Sequence, residues 1–142
     1  MSDAPRKLIL RRAHVDEIIR HARQERPAEC CGLIGGHHEI ASSVYRLRNV
    51  ARNPLVAYEA APEDLFAVQR RMRARGEELI GIYHSHPCAS DPIPSETDIR
   101  LAYYPAAVYL IIGFDGEEGI VRAFHLFEAE HRWEEAVYEV VE

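Results

Sequence analysis

Cysteine is scarce in this chain. Cys30 and Cys31 are adjacent and Cys88 stands alone, an odd set that cannot build a disulfide framework and suits a reducing compartment. No C-x-x-C pair occurs, so the thiolate-rich clusters of structural zinc sites are also missing. Long apolar runs are absent too. The most apolar stretch, residues 106–114, falls far short of the ~20 residues that a membrane helix needs. Basic charge is in deficit, with 17 Lys and Arg against 23 Asp and Glu and a net charge of -6, which argues against a nucleic-acid binder. Arg70, Arg71, Arg73 and Arg75 lie close together, but on a predicted helix and interrupted by Met72 and Ala74. They read as a solvated face. The first twelve residues offer only a three-residue apolar run, unlike a secretory signal. With no repeat, linker or low-complexity segment, the expectation is one soluble, cytoplasmic domain over residues 1–142.

What is present is core material. The 47% hydrophobic fraction is enough for a chain of 142 residues to fold without a stapling metal. Any bound metal would therefore serve chemistry. Leu8, Ile9 and Leu10 predict a short strand. Val15, Ile18, Ile19 and Ala22 recur at helical spacing, with Pro27 marking that helix's end. Residues 30–36 predict a buried strand closing on a glycine turn, and residues 38–49 a second strand. Pro62, Glu63 and Asp64 suit the first turn of a helix whose core face is Leu65, Val68 and Met72 and whose stop is Gly76. Residues 79–83 predict a strand, 95–104 a short helix, and 108–114 and 120–127 two strands joined through Asp115 and Gly116. That turn is too tight for a parallel crossover, so the class is α/β with a mixed central sheet flanked by helices. The tail from residue 131 fits a helix and a strand equally well.

The chemistry lies in residues 83–98, Y-H-S-H-P-C-A-S-D-P-I-P-S-E-T-D. His84 and His86 end a strand, where alternate residues share a face, so their Cα atoms stand ~6.6 Å apart and both rings can reach one ion. Asp98, brought back by a loop containing Pro87, Pro92 and Pro94, offers a third and harder ligand. Residues 95–98, S-E-T-D, also fit a helix capping box, with Ser95 as cap and Asp98 at the third position. The two roles are compatible, since a capped helix would hold Asp98 in its first turn. His125, inside an apolar strand, reads as a hydrogen-bonded core residue. His14, His21, His37, His38 and His131 read as solvent-facing. Cys88 reads as an incidental loop thiol.

H-S-H-P followed by a proline-rich loop and P-S-E-T-D resembles the signature of the JAMM (MPN-plus) metalloproteases. The upstream stretch at residues 27–36, P-A-E-C-C-G-L-I-G-G, is similar to the P-x-E-x-C-G-L-L-x-G of their small prokaryotic members. The resemblance implies an MPN (cytidine-deaminase-like) fold. It also implies one zinc on His84, His86 and Asp98, Glu29 as general base toward the attacking water, and Ser95 as a hydrogen-bond partner of the tetrahedral intermediate. On residue chemistry alone Glu29 is one carboxylate among many. The implied substrate is a ubiquitin-like or sulfur-carrier protein, cleaved after a C-terminal Gly-Gly. No nucleic acid or membrane is expected as partner, and self-association into a homodimer stays open. Eight residues, 87–94, separate His86 from Ser95 where the family usually has seven; Asp91 in that loop is a conceivable substitute for Asp98. Two other readings stand beside this one: a non-catalytic MPN scaffold, and a zinc hydrolase of a small-molecule amide. The scaffold predicts lost ligands, whereas all five positions are kept. The deaminase version of the hydrolase needs a P-C-x-x-C that is missing.

Overall fold

The computed structural model describes residues 7–142. The chain runs β1 (Leu8–Arg11), α1 (Arg12–Glu25), β2 (Cys31–His37), β3 (Ile40–Leu47), α2 (Pro62–Ala74), β4 (Glu78–Ser85), α3 (Glu96–Arg100), β5 (Val108–Asp115), β6 (Glu118–Phe127), β7 (Arg132–Glu135) and β8 (Tyr138–Val141). All eight strands form one mixed sheet, ordered β7-β6-β5-β4-β2-β3-β1-β8. β2 pairs antiparallel with β3 and β4, β4 pairs parallel with β5, and β5 and β6 form a hairpin.

The two outermost strands, β7 and β8, are neighbours in sequence, separated only by Ala136 and Val137. A flat eight-strand sheet would set them ~34 Å apart, and a two-residue link spans only about 10 Å. The sheet must therefore curl until its edges nearly meet. Ala136 N–H donates to Ala123 O on β6, and Val137 O accepts from Leu8 N–H on β1, so the link sutures the two edges. This settles the tail as strand: open backbone groups on both edges outweigh its helical spacing.

One face of the sheet packs Leu8, Leu10, Ile34, Tyr83, Leu110 and Ile112 against Val15, Ile18 and Ala22 of α1. The other packs Leu33, Ile82, Ile111 and Phe124 against Val68 and Met72 of α2. Arg70, Arg71 and Arg73 of α2 and Arg75 just beyond it are exposed, as the solvated-face reading expects.

Several expectations need correction. The turn after β2 is made by His38, at φ 58, while Gly35 and Gly36 lie inside the strand at a bulge. At Gly36 a Cβ would come 2.1 Å from Ile40 O, so the hairpin's close approach demands glycine there. α3 ends at Arg100. Tyr104, preceding Pro105, is disfavoured in helix, and Ala102 leaves the helical path to bury itself against β5 and β6. His21 is buried, with Nδ1 2.7 Å from Tyr83 OH, and burial pushes its pKa down to about 4. It faces the core because it shares a stripe with Ile18 and Ala22. His125 Nδ1 is buried without a hydrogen-bond partner among the described residues.

Candidate active site

Parallel pairing of β4 with β5 carries His84 and Ser85 to the end of the ladder, opposite Ile111 and Ile112. His86 N–H then donates to Ile112 O at 2.8 Å, which keeps the chain extended one residue further. Period-2 alternation therefore sends His84 and His86 to one side, and their Nε2 atoms stand 3.2 Å apart. Ser85 turns the other way. Its Oγ accepts from Cys30 N–H at 2.9 Å, and its own N–H donates to Cys30 O, tying the strand end to the Glu29–Cys30 backbone.

Asp98 arrives on α3. Ser95 Oγ accepts from Asp98 N–H at 3.0 Å while Asp98 Oδ2 accepts from Ser95 N–H at 2.8 Å, a complete capping box. The same Oδ2 lies 3.2 Å from His84 Nε2 and 3.1 Å from His86 Nε2. One carboxylate oxygen thus caps a helix and closes a triangle with two imidazole nitrogens. Ser95 Oγ spends a lone pair on the cap and keeps its O–H free to donate.

The triangle fits a tetrahedral metal. Donors at ~2.0–2.1 Å from a zinc lie about 3.3 Å from one another, close to the three edges found here. Two imidazole lone pairs and a carboxylate at this distance repel unless a cation sits among them. Burial pulls the His86 imidazole down, but the hydrogen bond and charge of Asp98, with Glu29, outweigh it and raise its pKa. Burial would raise Asp98, yet His84, His86 and the Ser95 N–H hold it far below the usual carboxylate range. The buried His84 Nδ1 has no partner among the described residues; the Tyr58 ring instead stacks on the imidazole at 4.6 Å and 27°.

Glu29 precedes β2 and is 6% exposed. A carboxylate oxygen of Glu29 and ring nitrogens of His84 and His86 lie within 4.8 Å of one another, so a metal site is possible in this cluster. Burial raises the Glu29 pKa to about 7, with His86 opposing and Asp98 adding. That value places a proton acceptor near neutral pH.

The long loop at 87–94 packs tightly. Pro87, Pro92 and Pro94 are buried, Phe114 N–H donates to Ala89 O, and a Cβ on Gly113 would come 2.2 Å from that same carbonyl. Asp91 is exposed and pairs with Arg122 on β6 at 2.6 Å, while the carboxylate against both histidines is that of Asp98. Cys88 is exposed; Cys30 and Cys31 are buried, and burial pushes both thiols up to about 12. Sequence reasoning missed Asn49, Tyr58 and Ser85. Only the serine lay within a quoted motif, and no spacing rule marked the other two. An apolar hollow of about 430 Å³, lined by Leu33, Leu65, Met72, Leu79 and Tyr103, includes none of the candidate site residues. None of the described helices is long and apolar enough to cross a membrane.

With this geometry in place the comparisons decide the family. Residues 11–126 match the model of prokaryotic homologues of the JAB domain. The chain belongs to that family. It is 40% identical over 107 residues to a desampylase of Haloferax volcanii, an alignment covering 71% of this chain and 76% of the relative. It is 37% identical over 123 residues to a probable TtuB-protein conjugate cleaving protease of Thermus thermophilus, covering 87% and 78%. A CysO-cysteine peptidase of Mycobacterium tuberculosis is 32% identical over 107 residues, covering 74% and 72%. Among solved structures, the JAB1/MPN domain protein AF2198 of Archaeoglobus fulgidus superposes with a TM-score of 0.62 at 22% identity, covering 96% of this chain and 99% of that one. The JAB-family chain thus carries the mixed α/β fold that its sequence implies.

Proposed function

We propose that this JAB-family chain is a zinc-dependent peptidase that hydrolyses the bond after the C-terminal Gly-Gly of a ubiquitin-like or sulfur-carrier protein. The observation that carries the reading is the triangle of His84, His86 and Asp98 beside a buried Glu29 whose pKa lies near 7. The three named relatives, each described as acting on a conjugate of such a protein or as a desampylase, support the substrate class.

His84, His86 and Asp98 would hold the zinc, which when bound supplies a Lewis acid for the scissile carbonyl and a water acidified toward neutral pH. Glu29, ionised, takes a proton from the attacking water. Protonated, it returns that proton to the departing amine. Ser95 directs its free O–H toward the oxyanion that develops on the carbonyl oxygen. A competing assignment makes Glu29 a metal ligand, since it groups with both histidines within 4.8 Å. The tighter Asp98 contacts at 3.1 and 3.2 Å favour Asp98 as ligand and leave Glu29 the looser position of a base.

The test is a cleavage assay on carrier proteins bearing short extensions beyond Gly-Gly, with protein as purified, after chelation and after zinc reloading. Cleavage at the Gly-Gly junction should vanish with chelator and return with zinc. Cleavage that persists in metal-free protein would discard the mechanism; zinc binding without cleavage of any carrier would favour a scaffold.

A further inference from the structure

Glu29 lies outside the sheet ladder, which begins at Cys31, so strand register does not aim its side chain. The loop of residues 48–61, between β3 and α2, aims it instead. Glu29 N–H donates to Pro54 O at 2.8 Å, and Glu29 O accepts from Asn49 Nδ2 at 2.9 Å. The Asn49 amide fills all four of its hydrogen-bonding valences. Oδ1 accepts from Ala51 N–H at 2.9 Å and Glu59 N–H at 3.0 Å, which shapes the loop. Nδ2 donates to Glu29 O and, at 3.0 Å, to Ala57 O, next to the Tyr58 that stacks on His84. The acceptor half of the amide thus builds the loop, and the donor half joins it to the base and, through Tyr58, to a candidate metal ligand. A bond to a residue twenty positions away is more than turn formation requires.

We infer that Asn49 is the positioning residue for Glu29, setting the carboxylate's place by holding its backbone carbonyl; this rests on the reading of Glu29 as base. Loss of the Nδ2 donors would leave a buried carbonyl unpaired and let the carboxylate drift, and a misplacement of ~1 Å can cost about 100-fold in rate.

Asn49→Asp keeps both acceptor contacts and loses both donors, while Asn49→Ala loses all four and adds no charge. In zinc-loaded protein both variants should lower kcat by about 10- to 100-fold with zinc content unchanged. Asn49→Asp should leave KM within about threefold and keep the Ala51 and Glu59 amides protected from exchange, while the Glu29 amide resonance moves. In the unmodified protein, a through-hydrogen-bond coupling should connect Asn49 Nδ2 with the Glu29 carbonyl carbon, a measurement independent of any variant's folding. Glu29→Gln serves as the control. If Glu29→Gln is inactive while Asn49→Asp turns over at the normal rate, the positioning role is wrong. It is equally wrong if the coupling is absent, or if the kcat loss only tracks lost zinc. If Glu29→Gln retains full activity, the assignment of the base itself has failed.

Discussion

The candidate site has two halves built on different principles. The histidine half is strand-borne: His84 and the backbone that leads to His86 are registered by ladders with β2 and β5 on either side, with buried apolar residues on both faces. The carboxylate half is loop-borne. Glu29 is held by Asn49, Pro54 and, through Cys30, Ser85, while Asp98 is held by a five-residue helix whose cap is Ser95. Ladders distribute their hold over many bonds. Single side-chain bonds do not, so one substitution should disturb the carboxylates far more than the imidazoles.

Glu29→Gln should break the comparison most sharply. Turnover should fall by about 10²- to 10⁴-fold, the usual contribution of a general base, with zinc still bound on metal analysis. Loss of zinc would instead make Glu29 a ligand. The same variant carries a stability signature. The folded-state pKa of about 7 lies above the ordinary carboxyl value of 4.5, so between these pH values the folded metal-free protein holds a proton that the unfolded chain releases. Stability from this group is full below 4.5 and lost as pH rises toward 7. Metal-free Glu29→Gln should therefore be more stable than the parent at pH 8 by on the order of 2 kcal/mol in denaturant melts.

Ser95 separates capping from chemistry. Ser95→Ala should cost about 1 kcal/mol for the lost cap and lower kcat by about 10²- to 10³-fold. Ser95→Gly should cost only a few tenths of a kcal/mol yet lose as much turnover. If glycine restores activity, the O–H has no part in the reaction. The smallest effect belongs to the loop's outer edge. Arg122→Ala breaks the exposed pairs to Asp91 and Glu135, and should change stability by less than ~1 kcal/mol and kcat by less than about threefold. A large kcat loss there would mean that residues 87–94 depend on this pair to deliver Asp98.

Most of the elements were legible because their signals are local. Apolar spacing marked α1, Pro62 with two acidic residues marked α2, and short apolar runs marked β1, β4 and β5. Two of the failures, His21 and the tail, were places where a distant segment decided. His21 looked polar enough for solvent until Tyr83, sixty-two residues later, gave it a buried partner. The tail could not be assigned because its strand character depends on two sheet edges that exist only after the sheet has curled.

By itself the sequence determined the spacing of the donors. H-x-H on a strand and S-x-x-D at a helix start are rules of one or two turns of chain, and they bring imidazoles to one face and a carboxylate to a cap wherever they fold. Residue chemistry alone left Glu29 one of 23 acidic residues; only the tertiary structure decided that it lies against those donors in a desolvated place, and what holds it there. The reason is physical: burial and a hydrogen bond across twenty residues depend on loop closure, which no local periodicity encodes.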